Sequence, residues 1–240
     1  MQKLIFNTGL CFLFFLLSSF ECSKKSTPSP PEVIRASAYS PAVPVLKGLT
    51  ANPVLRVAVS IPSGNGEQQY KKIICTLNTE AISSVQKVDV YLTGGEPFST
   101  ANPVTSVNPS AASFDIGVNL NLKPGIHFIW FSIVLKNDAS IDNKIELQCT
   151  KLIDNVGKQL TVKQDNSVYA KRTGVAIRKA NDDNVNTYRI PGIATTDKGT
   201  LLSVYDIRYN NSADLPGNID VGLSRSTDSG RSWQPMKIIM

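Results

Sequence analysis

The stretch STDSGRSW, residues 226–233, carries the strongest indication of fold in this chain. It fits the pattern Ser-x-Asp-x-Gly-x-x-Trp, whose residue types suit a tight turn between two strands. Asp228 can accept hydrogen bonds from nearby backbone amides, and Gly230 can take a positive φ without a steric cost. Trp233 is placed to pack its ring into the sheet. The pattern predicts a β-hairpin in which Ser226, Asp228, Gly230 and Trp233 have structural roles.

Further short strands surround this turn. After residue 171 the sequence predicts five of them, separated by turn residues: Val175 to Arg178, Tyr188 to Ala194, Leu201 to Asp206, Ile219 to Arg225, and Trp233 to Met240. About four strands within roughly 40–50 residues make one blade of a β-propeller. Residues 171–240 are therefore predicted to begin such a propeller, and the chain does not complete it.

The preceding part of the chain, residues 33–170, has the pattern of a β-sandwich. Strand-like alternation or β-rich composition recurs in four segments, residues 54–59, 85–92, 126–135 and 145–149. Glycine, proline and asparagine turns separate them, and no stretch keeps a helical period. His127 lies in one of these strands and is given no catalytic role. The predicted fold class is all-β, with a sandwich followed by the first propeller blade.

Residues 1–22 have the features of an export signal. Lys3 is followed by an apolar run over residues 10–17. This run is too short for a membrane-spanning helix, which needs roughly 20 apolar residues. Cys22 then stands where a bacterial lipoprotein is cleaved and lipidated. Phe20 and Glu21 are not the small residues usual at that site, so ordinary signal cleavage is the open alternative. We expect an exported protein, either anchored to a membrane by lipid, periplasmic or secreted.

Residues 23–32 are rich in proline and serine, which predicts an extended tether that holds a domain away from a membrane. Hydrophobic residues make up 42% of the chain and charged residues 18%. A packed core is therefore expected. The net charge of +6 is scattered over the sequence, without the long basic runs of a nucleic-acid surface. A weak positive field of this kind would still help to attract an anionic ligand. A single histidine and no Cys-x-x-Cys pair predict no metal site, and no cofactor is expected.

Cys75 and Cys149 are the two cysteines outside the export signal and its cleavage site. An even pair in an exported protein suits a disulfide, which would close a long loop and stabilise the fold by about 4 kcal/mol. Two buried free thiols fit the sequence equally well, and both alternatives stay open here.

Arg189 stands in the sequence Tyr188-Arg189-Ile190-Pro191. Its planar guanidinium can hold a carboxylate through two parallel hydrogen bonds. Taken alone, this arginine is better explained as one half of a surface ion pair. It does not stand alone, because an ordered series of motifs follows it: Gly-Thr-Leu-Leu at 199–202, Asp-x-Arg at 206–208, Ser-x-Asp at 212–214, Ile-Asp-x-Gly at 219–222, and then the turn at 226–233.

This series, over residues 176–233, resembles bacterial exo-α-sialidases (neuraminidases), and residues 226–233 resemble the Asp box of their BNR repeats. The resemblance implies a catalytic propeller of about six blades. The segment at residues 87–94 is similar to the N-terminal domain that precedes the propeller in Bacteroides-type sialidases. The implied substrates are sialylated glycans, from which terminal sialic acid is hydrolysed.

The resemblance also implies roles for individual residues. Arg189 would be the first of three arginines that hold the sialic acid carboxylate, and Arg208 a second arginine in contact with substrate. Asp214 would be the general acid and base, and Asp220 is the rival for that role. Asp220 lies in a strand, so a supporting role suits it better. Tyr188 and Pro191 would fix the strand geometry.

The resemblance further implies two more arginines, a nucleophilic tyrosine and its glutamate partner, all downstream of residue 240. The chain as given is therefore expected not to hydrolyse sialosides. An exported glycan-binding lipoprotein without catalysis is the alternative function, and an unrelated propeller that shares only the 226–233 turn is a third.

Overall fold

The computed structural model describes residues 33–165 and 170–240. The predicted export signal, Cys22 and the tether lie outside the described residues. Within the described residues, none of the helices has the length and apolar character needed to cross a membrane.

Eleven strands and one short helix precede residue 166. Their bounds are β1 (Arg35–Tyr39), β2 (Val45–Lys47), β3 (Asn52–Ile61), β4 (Gln68–Leu77), α1 (Thr79–Ser84), β5 (Val85–Thr93), β6 (Pro103–Val107), β7 (Ser113–Leu122), β8 (Gly125–Leu135), β9 (Lys144–Ile145), β10 (Leu147–Asp154) and β11 (Gln159–Gln164). Nine of them form one sheet in the order β6-β5-β8-β3-β1-β11-β10-β4-β7. The helix α1 was not predicted, because a segment of less than two turns is too short to show a helical period.

Alternation of side chains explains why these segments form strands. In β7 the residues Ile116, Val118, Leu120 and Leu122 are buried, and the polar residues between them are exposed. Successive side chains of a strand point to opposite faces, so such a segment buries one face and leaves the other in solvent. The strands predicted at residues 54–59, 85–92 and 126–135 lie within β3, β5 and β8.

The nine-stranded sheet folds over on itself. Its two halves are joined by β1 and β11, which pair in parallel, whereas the other neighbours in this sheet are antiparallel. Leu55 and Phe131 from one half share a core with Ile73 and Leu152 from the other, and all four are fully buried. The edge strands β6 and β7 come into contact, so the sheet is nearly a closed barrel. The predicted all-β class is confirmed.

A small sheet follows, in which β12 (Lys171–Val175) pairs in parallel with β2 and antiparallel with β9. The strand predicted from Val175 to Arg178 is therefore wrong beyond its first residue, because β12 ends at Val175. The hydrogen bonds of β12 go to strands that precede residue 166. The domain boundary placed between residues 170 and 171 stays a prediction.

The remaining strands form a separate antiparallel sheet of four, which we call the blade: β13 (Thr187–Thr195), β14 (Leu201–Arg208), β15 (Ile219–Ser226) and β16 (Lys237–Ile238). They run in sequence order, and β16 is shorter than the predicted segment from Trp233 to Met240. Tyr205 and Ile207 form a small core with Val185. A Cβ atom at Gly222 would lie 2.7 Å from the Tyr205 ring, so only glycine lets the ring lie against β15.

Cys75 and Cys149 lie directly opposite each other on β4 and β10, and both are buried free thiols. Opposed residues of antiparallel strands have Cα atoms about 4.5–5.5 Å apart, which is within the span of a disulfide. A hydrogen bond to Cys149, together with burial, raises the pKa of the Cys75 thiol well above its usual value. The thiolate needed for oxidation is thus disfavoured once the sheet has formed.

We therefore expect a disulfide to form between these cysteines during folding in an oxidising compartment, and not after it. Peptide mapping of exported, unreduced protein should yield a linked peptide pair containing Cys75 and Cys149. The cross-link should raise the unfolding free energy by about 4 kcal/mol over the Cys75→Ser, Cys149→Ser double variant. Full alkylation of both thiols in exported, denatured but unreduced protein would contradict this.

Lys171, the first residue of β12, is 5% exposed and its Nζ donates a hydrogen bond of 2.5 Å to Ser40 Oγ. Burial lowers the pKa of this amine from 10.5 to about 8, and the charge of Glu146 only partly offsets that effect. The protonated amine is therefore a destabilising group in the folded protein at neutral pH.

Replacing this lysine by methionine should raise the unfolding free energy at pH 7 by roughly 1–3 kcal/mol, since no buried charge remains. The unfolded lysine still binds a proton between pH of about 8 and 10.5, so the wild-type protein gains stability as the pH rises through that range. The difference in unfolding free energy between the wild type and Lys171→Met should therefore shrink over that pH range. Urea titrations at several pH values would measure this, with the exposed Lys72→Met as control. A variant that is less stable at pH 7 would refute the expectation.

Candidate active site

Three charged side chains converge at one end of the blade. Arg189 lies in β13, Arg208 is the last residue of β14, and Asp214 lies in the loop between β14 and β15. Arg208 Nη2 is 2.7 Å from Asp214 Oδ1, and Arg189 Nη1 is 3.6 Å from the same oxygen. The structure thus brings together the three residues for which the sequence predicts substrate contact and proton transfer. Their chemical roles stay predictions.

Arg208 organises the loop that carries Asp214. Its side chain is only 3% exposed. Its Nη1 donates hydrogen bonds to the carbonyl oxygens of Ser212 and Ala213, at 2.9 and 2.7 Å, and its Nη2 donates to Asp206 Oδ2 at 2.9 Å. Burial of a guanidinium is costly unless its donors are paired, and here backbone carbonyls of the loop pair with both donors of Nη1, whereas the buried Nε has no hydrogen-bond partner. Arg208 is therefore a main link between this loop and the sheet.

Arg189 is more accessible, with 41% of its side chain exposed. Its Nη1 donates a hydrogen bond of 2.8 Å to the carbonyl oxygen of Ser212, which also accepts from Arg208. The exposed part of the guanidinium can still receive an anionic ligand. This arginine is therefore the better suited of the two to bind a carboxylate from solution.

The two arginines set the protonation of Asp214. The hydrogen bond from Arg208, then its charge, then the charge of Arg189 lower the pKa of the carboxyl group below its usual value. Asp214 is 75% exposed and is ionised in this arrangement. In this state it can accept a proton, and it must first be protonated before it can donate one.

A backbone irregularity aims Arg189 at this site. Arg189 pairs with Asp206, but Gly192 pairs with Val204, so β13 carries one extra residue at Ile190 and Pro191. Ile190 has φ of 52°, and its side chain is exposed. This conformation is unfavourable for a β-branched residue. A bulge of this kind turns neighbouring side chains to a face that simple alternation would not give them. Here Arg189 and Gly192 point to the same face of the blade.

Asp220 lies outside the cluster. It is opposite Ile207 in the pairing of β14 and β15, so its side chain lies on the other face from Asp206 and Arg208. Its Oδ2 accepts a hydrogen bond of 2.9 Å from the Tyr209 hydroxyl, which raises the pKa of that tyrosine. This geometry favours the supporting role over the acid role.

Tyr188 anchors β13 on the face opposite Arg189. Its ring meets Tyr205 edge-on at 5.5 Å, and its hydroxyl donates to the Asp182 carbonyl at 3.0 Å. Beside it lies a largely apolar cavity of about 550 Å³, which Pro191 lines together with Leu46. Tyr188 and Pro191 therefore lie where they can fix the course of the strand that carries Arg189.

Sequence reasoning did not assign a role to Asp206, which shares the Arg208 guanidinium with Asp214. The Asp-x-Arg spacing could have suggested it, because residues two apart in a strand lie on the same face. Within residues 33–165 and 170–240, no cluster of histidine, cysteine, aspartate and glutamate side chains could hold a metal ion.

The turn at residues 226–233 is built around Asp228. Its Oδ1 accepts from Ser226 Oγ at 2.7 Å and from the Ser232 amide at 2.9 Å, and its Oδ2 accepts from Ser232 Oγ at 2.6 Å. Gly230 has φ of 86°, and its amide donates to Ser226 Oγ. Trp233 is half-buried. The turn lies outside the network that joins Arg189, Arg208 and Asp214.

Fold and site together define an all-β protein in which a folded-over sheet precedes a blade that carries paired arginines beside a carboxylate. Residues 34–158 match the family described as the N-terminal domain of BNR-repeat neuraminidase, and the chain belongs to this family. The resemblance to bacterial sialidases that the sequence indicated is thus confirmed.

Individual sialidases extend this similarity. The chain is 40% identical over 157 residues to a sialidase of Bacteroides fragilis, which is 62% of this chain and 28% of that protein. It is 40% identical over 63 residues to a sialidase of Paraclostridium sordellii, which is 26% of this chain and 15% of that protein. The solved structure of Hadza microbial sialidase Hz136 matches with a TM-score of 0.71 and 26% identity, over 85% of this chain and 44% of that one. The chain spans less than half the length of each.

The hydrogen bonds to Asp228 lead to a prediction. They hold its pKa at about 2, the largest effect coming from the Ser232 hydroxyl. The carboxylate therefore stabilises the turn above pH of about 4 and loses this effect as the pH falls towards 2. Asp228→Ala should speed amide hydrogen exchange at Gly230 and Ser232 about 10-fold at pH 7. The effect should shrink as the pH falls through about 2, where Asp228 becomes protonated. Asp197→Ala, at an exposed position in another blade turn, is the control and should leave these exchange rates unchanged. Protection of Gly230 and Ser232 in Asp228→Ala equal to that of the wild type at pH 7 would overturn the prediction.

Proposed function

We propose that this chain is the N-terminal part of an exported exo-α-sialidase that removes terminal sialic acid from glycoconjugates. The observation that carries the proposal is the convergence of Arg189, Arg208 and Asp214 at one end of the blade. Sialic acid bears a carboxylate at its reacting carbon, and a solvent-accessible guanidinium next to a carboxylic acid residue offers both a clamp and a proton carrier. Membership of the neuraminidase family supports the same assignment.

The charges of the site support a sequence of events. The substrate carboxylate binds the Arg189 guanidinium and competes with the Asp214 carboxylate for the positive charge of that guanidinium. The added negative charge raises the proton affinity of Asp214, which then carries a proton to the glycosidic oxygen as the bond breaks. Arg208 keeps the loop in place, because its hydrogen bonds to Ser212 and Ala213 do not involve the substrate.

In this proposal the chain is part of a longer protein. The remainder of that longer protein supplies the nucleophile and the other two arginines that hold the substrate carboxylate. The chain spans 28% of the Bacteroides fragilis sialidase. Sialylated glycans are the proposed partners. We propose that the protein is exported, and that it is anchored by a lipid at Cys22 in preference to ordinary signal cleavage. Export would bring the enzyme into contact with glycans outside the cytoplasm. We also propose that residues 226–233 are an Asp box of the propeller.

Substitution of Arg189 tests the function. In the protein encoded by the continuing reading frame, Arg189→Ala should lower kcat/KM for a fluorogenic sialoside about 100-fold or more, because a charge-assisted clamp on the substrate is lost. Arg189→Lys should recover only part of this, since lysine lacks the planar pair of donors.

Arg231→Ala is the matched control, because Arg231 is an exposed blade arginine whose ion pair is with Asp142 and not with the cluster. Its activity should match the wild type. An unchanged kcat/KM in Arg189→Ala would show that Arg189 does not hold the substrate carboxylate. Saturable binding of sialylated glycans by a longer protein that turns none of them over would favour the glycan-binding alternative.

A further inference from the structure

The guanidinium of Arg208 is shared between two carboxylates through a single nitrogen. Nη2 is 2.9 Å from Asp206 Oδ2 and 2.7 Å from Asp214 Oδ1. The two acids differ in their surroundings, since Asp206 is 26% exposed and Asp214 is 75% exposed. One carboxylate is thus held within the sheet, whereas the other lies on a solvent-exposed loop.

Asp206 has a fixed position because β14 is paired on both sides. It lies opposite Arg189 on β13 and opposite Val221 on β15. Its side chain shares a face of β14 with Arg208, two residues further on. The loop residues Ser212 to Asp214 lie between the strands, and Arg208 links them to the sheet.

We infer that Asp206 is a positioning residue: by binding one edge of the Arg208 guanidinium, it fixes the orientation in which that guanidinium holds the 212–214 loop with Asp214 beside Arg189. The effect of Asp206 passes through Arg208, and Asp206 itself need not touch the substrate. As a role in catalysis, this inference rests on the proposed sialidase function; as a role in building the cluster, it does not.

The same arrangement has an electrostatic consequence. The charged groups that face Asp214 are Arg189 from β13 and Arg208 from β14, and Asp206 partly neutralises the latter. Removing the Asp206 charge leaves the whole charge of Arg208 acting on Asp214. The Asp214 carboxylate is then harder to protonate, which works against its proposed use as an acid.

Carboxyl-detected NMR titration of the chain as given tests the inference without any enzymatic assay. In Asp206→Asn the amide oxygen can still accept from Arg208, so the loop keeps its place while one negative charge is lost. The pKa of Asp214 should fall by about half a unit or more, as expected for the loss of a charge that contacts the same guanidinium nitrogen in partly exposed surroundings. Asp220→Asn, on the opposite face, is the matched control and should leave Asp214 unchanged.

Asp206→Ala separates position from charge, because it also removes the hydrogen-bond acceptor. Hydrogen exchange of the Ala213 amide, which donates to Asn211 Oδ1 at 2.8 Å, should become at least about 10-fold faster in Asp206→Ala and stay near wild type in Asp206→Asn. Exchange in β15 reports whether the blade itself has folded. If the blade does not fold in Asp206→Ala, the Asp206→Asn titration alone decides the matter.

In the longer protein, Asp206→Asn should move the alkaline limb of the pH profile of kcat to lower pH by a similar half unit, with KM changed less than about 3-fold, as expected for a lost charge–charge interaction. Loop exchange that is unchanged in a folded Asp206→Ala would overturn the positioning role, and an Asp214 pKa that is unchanged or raised in Asp206→Asn would overturn its electrostatic consequence. A longer protein that has no sialidase activity even as wild type would refute the proposed function, yet the titration would still decide whether Asp206 controls Asp214.

Discussion

The organisation of the site depends on one buried cation. Arg208 is enclosed at the end of β14, and the free energy of leaving its donors unpaired would be large. Its partners are two loop carbonyls and two carboxylates, one from the strand and one from the loop. The loop therefore closes towards the sheet, where it meets Arg189. A blade with a neutral residue at position 208 would keep only the contacts of Arg189 with Ser212 and Asp214 to hold this loop.

Much of the architecture follows from local sequence rules. Strict alternation in β7, and β-branched or aromatic runs in β3 and β8, predict strands because each segment has a face to bury. The pairing order does not follow from such rules. The neighbours β1 and β11 lie far apart in the sequence, as the pairing of Ala36 with Val162 illustrates. No local pattern in either strand specifies that partner. For the same reason the sequence does not indicate that β12 pairs with β2.

The site was predictable to the extent that family motifs mark its residues. Arg189, Arg208 and Asp214 were named from their order in the sequence, and they meet in the structure. Asp206 was overlooked because an acid two residues before an arginine has no distinctive composition, and its meaning appears only when both side chains share one strand face. The positive φ of Ile190 could not be foreseen either, since isoleucine is among the residues least expected there.

The parallel pairing of β1 with β11 also sets the order in which the chain can acquire its structure. Synthesis delivers residues 35–39 long before residues 159–164, so the joint between the two halves of the large sheet must wait for the late strand. Until then β1 and β10 each present an unpaired edge to any other extended chain. These two edges therefore stay open longer than the edges within hairpins, because pairing between segments far apart in the sequence is slow.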